Sequence, residues 1–303
     1  MPVSNYYLEH WMDEIHLHGV KRTVVGIQTK YQKIDIVDTS NYGRCLFLDE
    51  RMQSSEKDSF IYHEALVHPP LLQHPDPQKV MIVGGGEGET LRDILKHKSV
   101  KQAVMVDIDK ELVDFCRKEL REWSGGAFTD KRSKVLYMDA RTYLEKTKEK
   151  YDVIVIDVTE PIEGGPSFKL YTKEFYQLIH NRLTGDGIIT LQAGTTRVYD
   201  TDMLTSIAKT VASAFPVVRI YQVIIPSFGL PWGFIMGSKT ADPLVCSPAR
   251  IDQLIRQRGL KKLEYYDGVT HLGMFSLPKF LRQDYEKQKR VITDKKLMTA
   301  KFA

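Results

Sequence analysis

The stretch Lys79-Val80-Met81-Ile82-Val83-Gly84-Gly85-Gly86-Glu87-Gly88-Glu89-Thr90 joins an apolar run to a glycine loop and then to a helical pattern. Strand, glycine turn and helix in that order make the nucleotide-binding corner of a doubly wound α/β sheet. The spacing Gly84-x-Gly86-x-Gly88 lets the backbone turn sharply and approach a ligand closely. Such loops ordinarily welcome an anion, yet this one carries two carboxylates, Glu87 and Glu89.

Working outward, apolar runs alternate with amphipathic segments from Lys79 onward. Strands are expected at Lys79–Val83, Ala103–Asp107, Lys134–Tyr137, Val153–Asp157, Gly187–Gln192, Val218–Ile224 and Phe234–Ser238, with helices between most of them. That alternation predicts an α/β fold built on a doubly wound, mainly parallel, seven-stranded Rossmann-like sheet of the methyltransferase type. Upstream, Lys33-Ile34-Asp35-Ile36 and Cys45-Leu46-Phe47-Leu48 alternate between turn formers and read as a small β-meander. The cluster His68-Pro69-Pro70 followed by His74-Pro75-Asp76-Pro77 marks the junction. The expected division is a β-meander domain at residues 1–68 and a Rossmann-like catalytic domain at 69–303.

Composition limits the classes of function. With 303 residues, 42% of them hydrophobic, the chain can bury one large core or one core and a small satellite domain. No stretch approaches the roughly 18 apolar residues of a membrane span. The N-terminus MPVSNYYLEHWMDE lacks a basic start and an apolar core of a leader. Cys45, Cys116 and Cys246 are widely separated, which speaks against a disulfide framework or a zinc site and for a reducing cytoplasm. A net charge of +4 without a basic block reads as a mixed solvated surface, not as a nucleic-acid or membrane partner.

In this architecture ligands sit outside the carboxyl ends of the strands. The second strand ends at Asp107, about 20 residues beyond the glycine loop, where an acid accepts from ribose hydroxyls; helix capping is the competing reading there, and the stronger one for Asp109. The third strand ends Tyr137-Met138-Asp139, another carboxylate able to accept from an adenine amino group. Together these ends point to an adenine nucleoside.

A pyrophosphate fits poorly beside Glu87 and Glu89, because like charges in a partly buried site repel. A sulfonium nucleoside has no phosphate. In an ordinary methyl donor, however, the amino-acid carboxylate would come near Glu87. At roughly 4 Å and an effective dielectric of about 20, that repulsion is about 4 kcal/mol before screening. A donor that has lost its carboxylate and keeps only an ammonium would be attracted. The competing reading of Glu87 is a solvent-facing acid favoured by the helix dipole.

The fourth strand ends Asp157-Val158-Thr159-Glu160-Pro161, two carboxylates suited to a cationic substrate and a general base. With Tyr62-His63-Glu64, Gly84-Gly85-Gly86-Glu87-Gly88, Asp107-Ile108-Asp109, Leu170-Tyr171-Thr172-Lys173-Glu174-Phe175-Tyr176, Gln192-Ala193-Gly194 and Ile225-Pro226-Ser227-Phe228, the chain from about Tyr31 to Pro278 resembles the polyamine aminopropyltransferases, the spermidine synthase family. The resemblance implies transfer of the aminopropyl group of decarboxylated S-adenosylmethionine to an amine, release of methylthioadenosine, no metal, and a homodimer or homotetramer. By position it implies that Gln32, Asp107 and Asp139, with Gly84 and Gly86, hold the nucleoside and Glu87 the aminopropyl ammonium. Asp157 matches the catalytic acid; Tyr62, Glu160 and Phe228 match positions around the acceptor, and Gln53 and Gln192 line the crevice.

Departures bear on the acceptor. The putrescine-using pattern has Asp at Glu87 and Glu160, Gln at His63 and Tyr at Phe228. The combination here, with Pro231-Trp232-Gly233, is more similar to the branch that uses agmatine or makes thermospermine. His63 reads either as a core or interface histidine or as an acceptor contact, and Trp232 either as a buried aromatic or as the wall of a longer tunnel. Glu89 reads as a helix start. The loop Glu163–Lys169 reads as a lid or as a plain surface connection. Two other classes compete with the enzyme: a methyltransferase, which would want no acid at Glu87, and a non-catalytic polyamine-binding protein.

Overall fold

The computed structural model describes residues 5–11, 14–161 and 164–299. Five strands come first: β1 (Tyr6–Trp11), β2 (Glu14–Gln28), β3 (Lys33–Thr39), β4 (Gly43–Leu48) and β5 (Arg51–Ser55), paired in chain order as an antiparallel meander. The β1–β2 hairpin was not anticipated. It sets Tyr6, Leu8, Ile15 and Leu17 on one face through the pairing Leu8 with Leu17, and each of the four is about half exposed.

Next come α1 (Ser59–Gln73), β6 (Lys79–Gly84), α2 (Glu89–Lys96), β7 (Gln102–Asp107), α3 (Lys110–Glu119), α4 (Arg121–Ser124), β8 (Ser133–Tyr137), α5 (Ala140–Lys146) and β9 (Tyr151–Asp157). The chain continues through α6 (Lys173–Arg182), β10 (Leu183–Thr195), α7 (Asp202–Ala212), β11 (Val217–Ile225), β12 (Leu230–Ser238), α8 (Pro248–Gln257), α9 (Gly268–Phe275) and α10 (Lys279–Lys287). The seven-stranded sheet runs β11-β12-β10-β9-β6-β7-β8, and within it β12 alone is antiparallel to its neighbours. All seven expected strands are present.

The central strands of this sheet are buried on both faces. Val80 and Ile82 of β6 join the cluster that includes Leu66 of α1 and Leu91 of α2, whereas Met81 and Val83 join the opposite cluster with Leu144 of α5 and Ile179 of α6. Two-sided burial explains why the sequence shows continuous apolar runs here and not alternation.

The proline cluster is a correction. Pro69 and Pro70 lie inside α1, which packs on β9, β10 and β11. A proline at 69 cannot donate to the Ala65 carbonyl. The Tyr221 hydroxyl of β11 donates to that oxygen instead, at 2.9 Å. The helix therefore continues past the expected break. Among the described residues no helix is long and apolar enough to cross a membrane. Cys45, Cys116 and Cys246 are free.

Candidate active site

The strand order reverses between β6 and β9, and a cavity opens at their carboxyl ends, walled on the far side by β4, β5 and α1. Gly84 ends β6 at φ +81°, and a Cβ there would collide with the Asp157 carbonyl oxygen. Gly86 lies against the opposite wall: a Cβ would stand 2.9 Å from Leu112 Cδ2 and 3.1 Å from Asp107 Oδ2. The two glycines let the loop pass between Asp157 and Asp107 while leaving space for a ligand.

At the end of β7, Asp107 is buried and accepts the Asp109 N–H at 2.8 Å. Burial pushes its carboxyl up to about 7, partly opposed by that hydrogen bond. Asp109 caps α3, as expected, by accepting from Leu112 N. Its other oxygen accepts Thr29 Oγ1 at 2.7 Å and Gln32 Nε2 at 3.1 Å, so the tip of the β2–β3 turn is tied to the nucleotide corner. Asp139 lines the same cavity and caps α5 through Thr142 N. Asp139 is thus a helix cap that also faces the cavity. Gln32, Gly84, Gly86, Glu87, Asp107 and Asp139 all line one cavity.

At the reacting end, Asp157 accepts Tyr62 Oη on Oδ1 at 2.7 Å and Thr90 Oγ1 on Oδ2 at 2.6 Å. Burial and then the nearby Glu87 charge raise its carboxyl to about 6, against the lowering effects of His63 and these two hydrogen bonds. Burial and the Asp157 charge hold the Tyr62 hydroxyl well above 10. Ligand atoms of His63, Glu87 and Asp157 lie within 4.8 Å of one another.

His63 is fully buried and does not line the cavity itself. Its Nε2 meets Glu87 Oε1 at 2.9 Å, and its Nδ1 meets Glu89 Oε2 at 2.9 Å and the Ser59 carbonyl at 2.8 Å. Glu89 corrects the sequence reading. It is not merely a helix start: it is buried and is also paired with Arg92 at 2.8 Å.

Toward the acceptor end, Glu160 is buried, and burial raises its carboxyl while Arg51 pulls it down. Gln192 donates to the Val158 carbonyl at 2.7 Å and its oxygen accepts from Gly194 N, which fixes the amide at the wall. Phe228 packs edge-on against Trp232 with centroids 4.9 Å apart and is tilted against Tyr62 at 6.2 Å. Gln53 donates to the Arg51 carbonyl, and all of these residues line the cavity. Trp232 is both buried and part of the wall.

Sequence reasoning did not single out Thr90, Arg51, the Asp109–Gln32 link or the pairing of Glu89 with His63. Each depends on a partner from another element, so no local pattern announces it. The expected lid begins at Glu163, which lies outside the described residues; Pro166, Ser167 and Leu170 line the cavity, and Ser167 Oγ donates to the Glu160 carbonyl at 2.9 Å.

Residues 59–246 match the spermine/spermidine synthase domain, and residues 15–56 match the spermidine synthase tetramerisation domain. A polyamine aminopropyltransferase of Sulfurisphaera tokodaii is 41% identical over 280 residues, 92% of each chain. One from Pyrobaculum calidifontis is 43% identical over 265 residues, covering 86% of this chain and 89% of its own. Among solved structures, a spermidine synthase in complex with the transition-state analogue AdoDATO superposes with a TM-score of 0.87 at 31% identity, covering 94% of this chain and 96% of that one. The spermidine synthase of Thermotoga maritima gives 0.85 at 31% identity, covering 94% and 95%. The chain belongs to the spermine/spermidine synthase family, the polyamine aminopropyltransferases.

Proposed function

We propose that the protein transfers the aminopropyl group of decarboxylated S-adenosylmethionine to an amine acceptor and releases methylthioadenosine. The observation that carries this reading is the placement of Glu87 and Asp157 within one small cluster that lines the same cavity as the buried Asp107. Asp107 takes the ribose hydroxyls, Asp139 and Gln32 the adenine side, and Glu87 the ammonium of the donor. A methyl donor with its carboxylate intact would meet Glu87 as a like charge.

An aliphatic amine with a pKa near 10.4 has its lone pair free in only about one molecule in a thousand at neutral pH. Asp157, ionised at neutral pH yet raised toward 6, binds that ammonium and accepts its proton. Tyr62 and Thr90 fix the orientation of the acid. The amine nitrogen then forms a bond to the carbon next to the sulfonium while the carbon–sulfur bond breaks. The electron pair leaves with sulfur as a neutral thioether, and the proton stays on Asp157. Holding both reactants in line in one crevice supplies much of the acceleration.

The acceptor in this reading is agmatine or spermidine in preference to putrescine, with a thermospermine-type product from spermidine. Glu160, Gln53, Gln192, Phe228 and Trp232 support it by extending the cavity beyond Asp157. No metal is required for this step: the thioether leaves as a neutral group and Asp157 takes the proton. The apolar face of the β1–β2 hairpin supports a homodimer or homotetramer, and the three free cysteines support a reducing cytoplasm.

The test is incubation with the donor and each amine separately, in the presence of a chelator, with products identified by mass and retention. Retention separates spermine from thermospermine, which share a mass. Methylthioadenosine release with agmatine or spermidine is expected; none with any amine overturns the reading.

A further inference from the structure

Glu87 lines the cavity and Glu89 does not, yet the two carboxylates share one side chain. His63 presents Nε2 to Glu87 Oε1 and Nδ1 to Glu89 Oε2, each at 2.9 Å, and Nδ1 also faces the Ser59 carbonyl. A neutral imidazole has one N–H and one lone pair. With either tautomer, one ring nitrogen would set its lone pair against acceptor oxygens. Only the imidazolium donates on both sides.

The groups around the ring come from four elements. Glu87 belongs to the glycine loop, Glu89 and Arg92 to α2, Asp157 to the end of β9, and Tyr62 adjoins on α1. Burial by itself would strip His63 of its proton, but the Glu89 charge and the hydrogen bonds to Glu87 and Glu89 outweigh it. Glu89 is in turn braced by Arg92 Nη1 at 2.8 Å and Ser54 Oγ at 3.4 Å.

We propose that Glu89 is a positioning residue: it keeps His63 as an imidazolium, and the imidazolium holds Glu87 in the orientation from which its remaining lone pairs receive the ammonium of the aminopropyl arm. The inference rests on the aminopropyl-transfer reading and extends it to a residue that touches no substrate.

Glu89→Gln removes the counter-charge with little change of volume. In that variant His63 is expected to lose its proton at lower pH than in the wild type, because the Glu89 charge that favours the imidazolium is gone. The donor KM should rise about tenfold or more, the scale of a lost charge-assisted contact, while kcat falls less because Asp157 and Tyr62 are untouched. The ratio of variant to wild-type KM should grow from pH 6 to pH 8, since the titration of Asp107 is common to both proteins and cancels in the ratio.

The charge state is read independently of activity by 15N NMR of the histidine-labelled full chain, with the His63 signal assigned from its loss in His63→Gln. Protons on both nitrogens at pH 8 in the wild type, and on one in Glu89→Gln, support the proposal. A neutral His63 in the wild type at pH 7, or a Glu89→Gln donor KM within about twofold of wild type at pH 8, overturns it. Should Glu89→Gln fail to fold, His63→Gln/Glu89→Gln carries the test, because it leaves no unpaired imidazolium. That double variant should fold and show a raised donor KM whose ratio to the wild-type value no longer varies with pH; a wild-type KM there overturns the proposal. Absence of transfer with every amine would sink the functional reading alone, and the NMR result distinguishes the two failures.

Discussion

Tyr62 donates its hydroxyl to Asp157 Oδ1 at 2.7 Å, while Thr90 holds the other oxygen at 2.6 Å. The acid is oriented before any substrate arrives. Asp157→Asn keeps this shape but cannot take a proton, so turnover should drop at least about a hundredfold, the usual scale for a general base. Binding of methylthioadenosine, measured by calorimetry, should stay close to wild type because the nucleoside groups are elsewhere in the cavity. Unchanged turnover removes Asp157 from its role.

The pH profile follows from the same pair. Asp157 is raised to about 6 in the free protein, so kcat/KM should fall as pH drops through that region and the base becomes protonated. The Tyr62 hydrogen bond favours the ionised form, and its removal raises the carboxyl further. Tyr62→Phe should therefore move the acid limb to higher pH and slow turnover by about tenfold. An acid limb that stays in place in Tyr62→Phe contradicts this coupling.

Asp107 carries a stability consequence. Its carboxyl sits at about 7 in the fold against an ordinary 3.8, chiefly because of burial. A raised carboxyl binds its proton more tightly in the native state. Its contribution is therefore fully present below pH 4 and is lost as pH rises through about 7, at most about 4 kcal/mol. Asp107→Asn should be more stable than wild type at pH 8 and equally stable at pH 4, while losing nucleoside affinity by at least about tenfold. Denaturant melts of the ligand-free protein at the two pH values check the first half.

The outward face of the β1–β2 hairpin gives a prediction about assembly. Leu8 and Leu17 are paired across the hairpin and remain 48% and 59% exposed. Leu17→Asp should lower the assembly state in analytical ultracentrifugation without changing the circular dichroism spectrum, since no core contact is lost. An unchanged sedimentation coefficient excludes this face as the interface.

The catalytic half was legible because its central strands are buried on both sides and so announce themselves as apolar runs ending at Gly84, Asp107 and Asp157. The hairpin was not, because Tyr6, Leu8, Ile15 and Leu17 turn outward and the long β2 mixes exposed and half-buried positions. Pro69 misled for a tertiary reason, since the Tyr221 hydroxyl that rescues the helix comes from 156 residues away. Glu89 misled in the same manner, its partner His63 lying on a different helix. Local grammar identified most of the carboxylates that line the cavity. Groups acting through a neighbour became visible only when the elements came together.

The carboxylate of Asp109 receives Thr29 and Gln32 from the meander while capping the helix that faces Gly86. The N-terminal sheet is therefore no interchangeable oligomerisation handle. A chimera that borrowed this sheet from a relative would have to bring a matching Thr29 and Gln32, or its new quaternary structure would come with a weakened grip on the nucleoside. On the proposed reading, a single side chain, Asp109, joins the N-terminal sheet to the donor site in this chain.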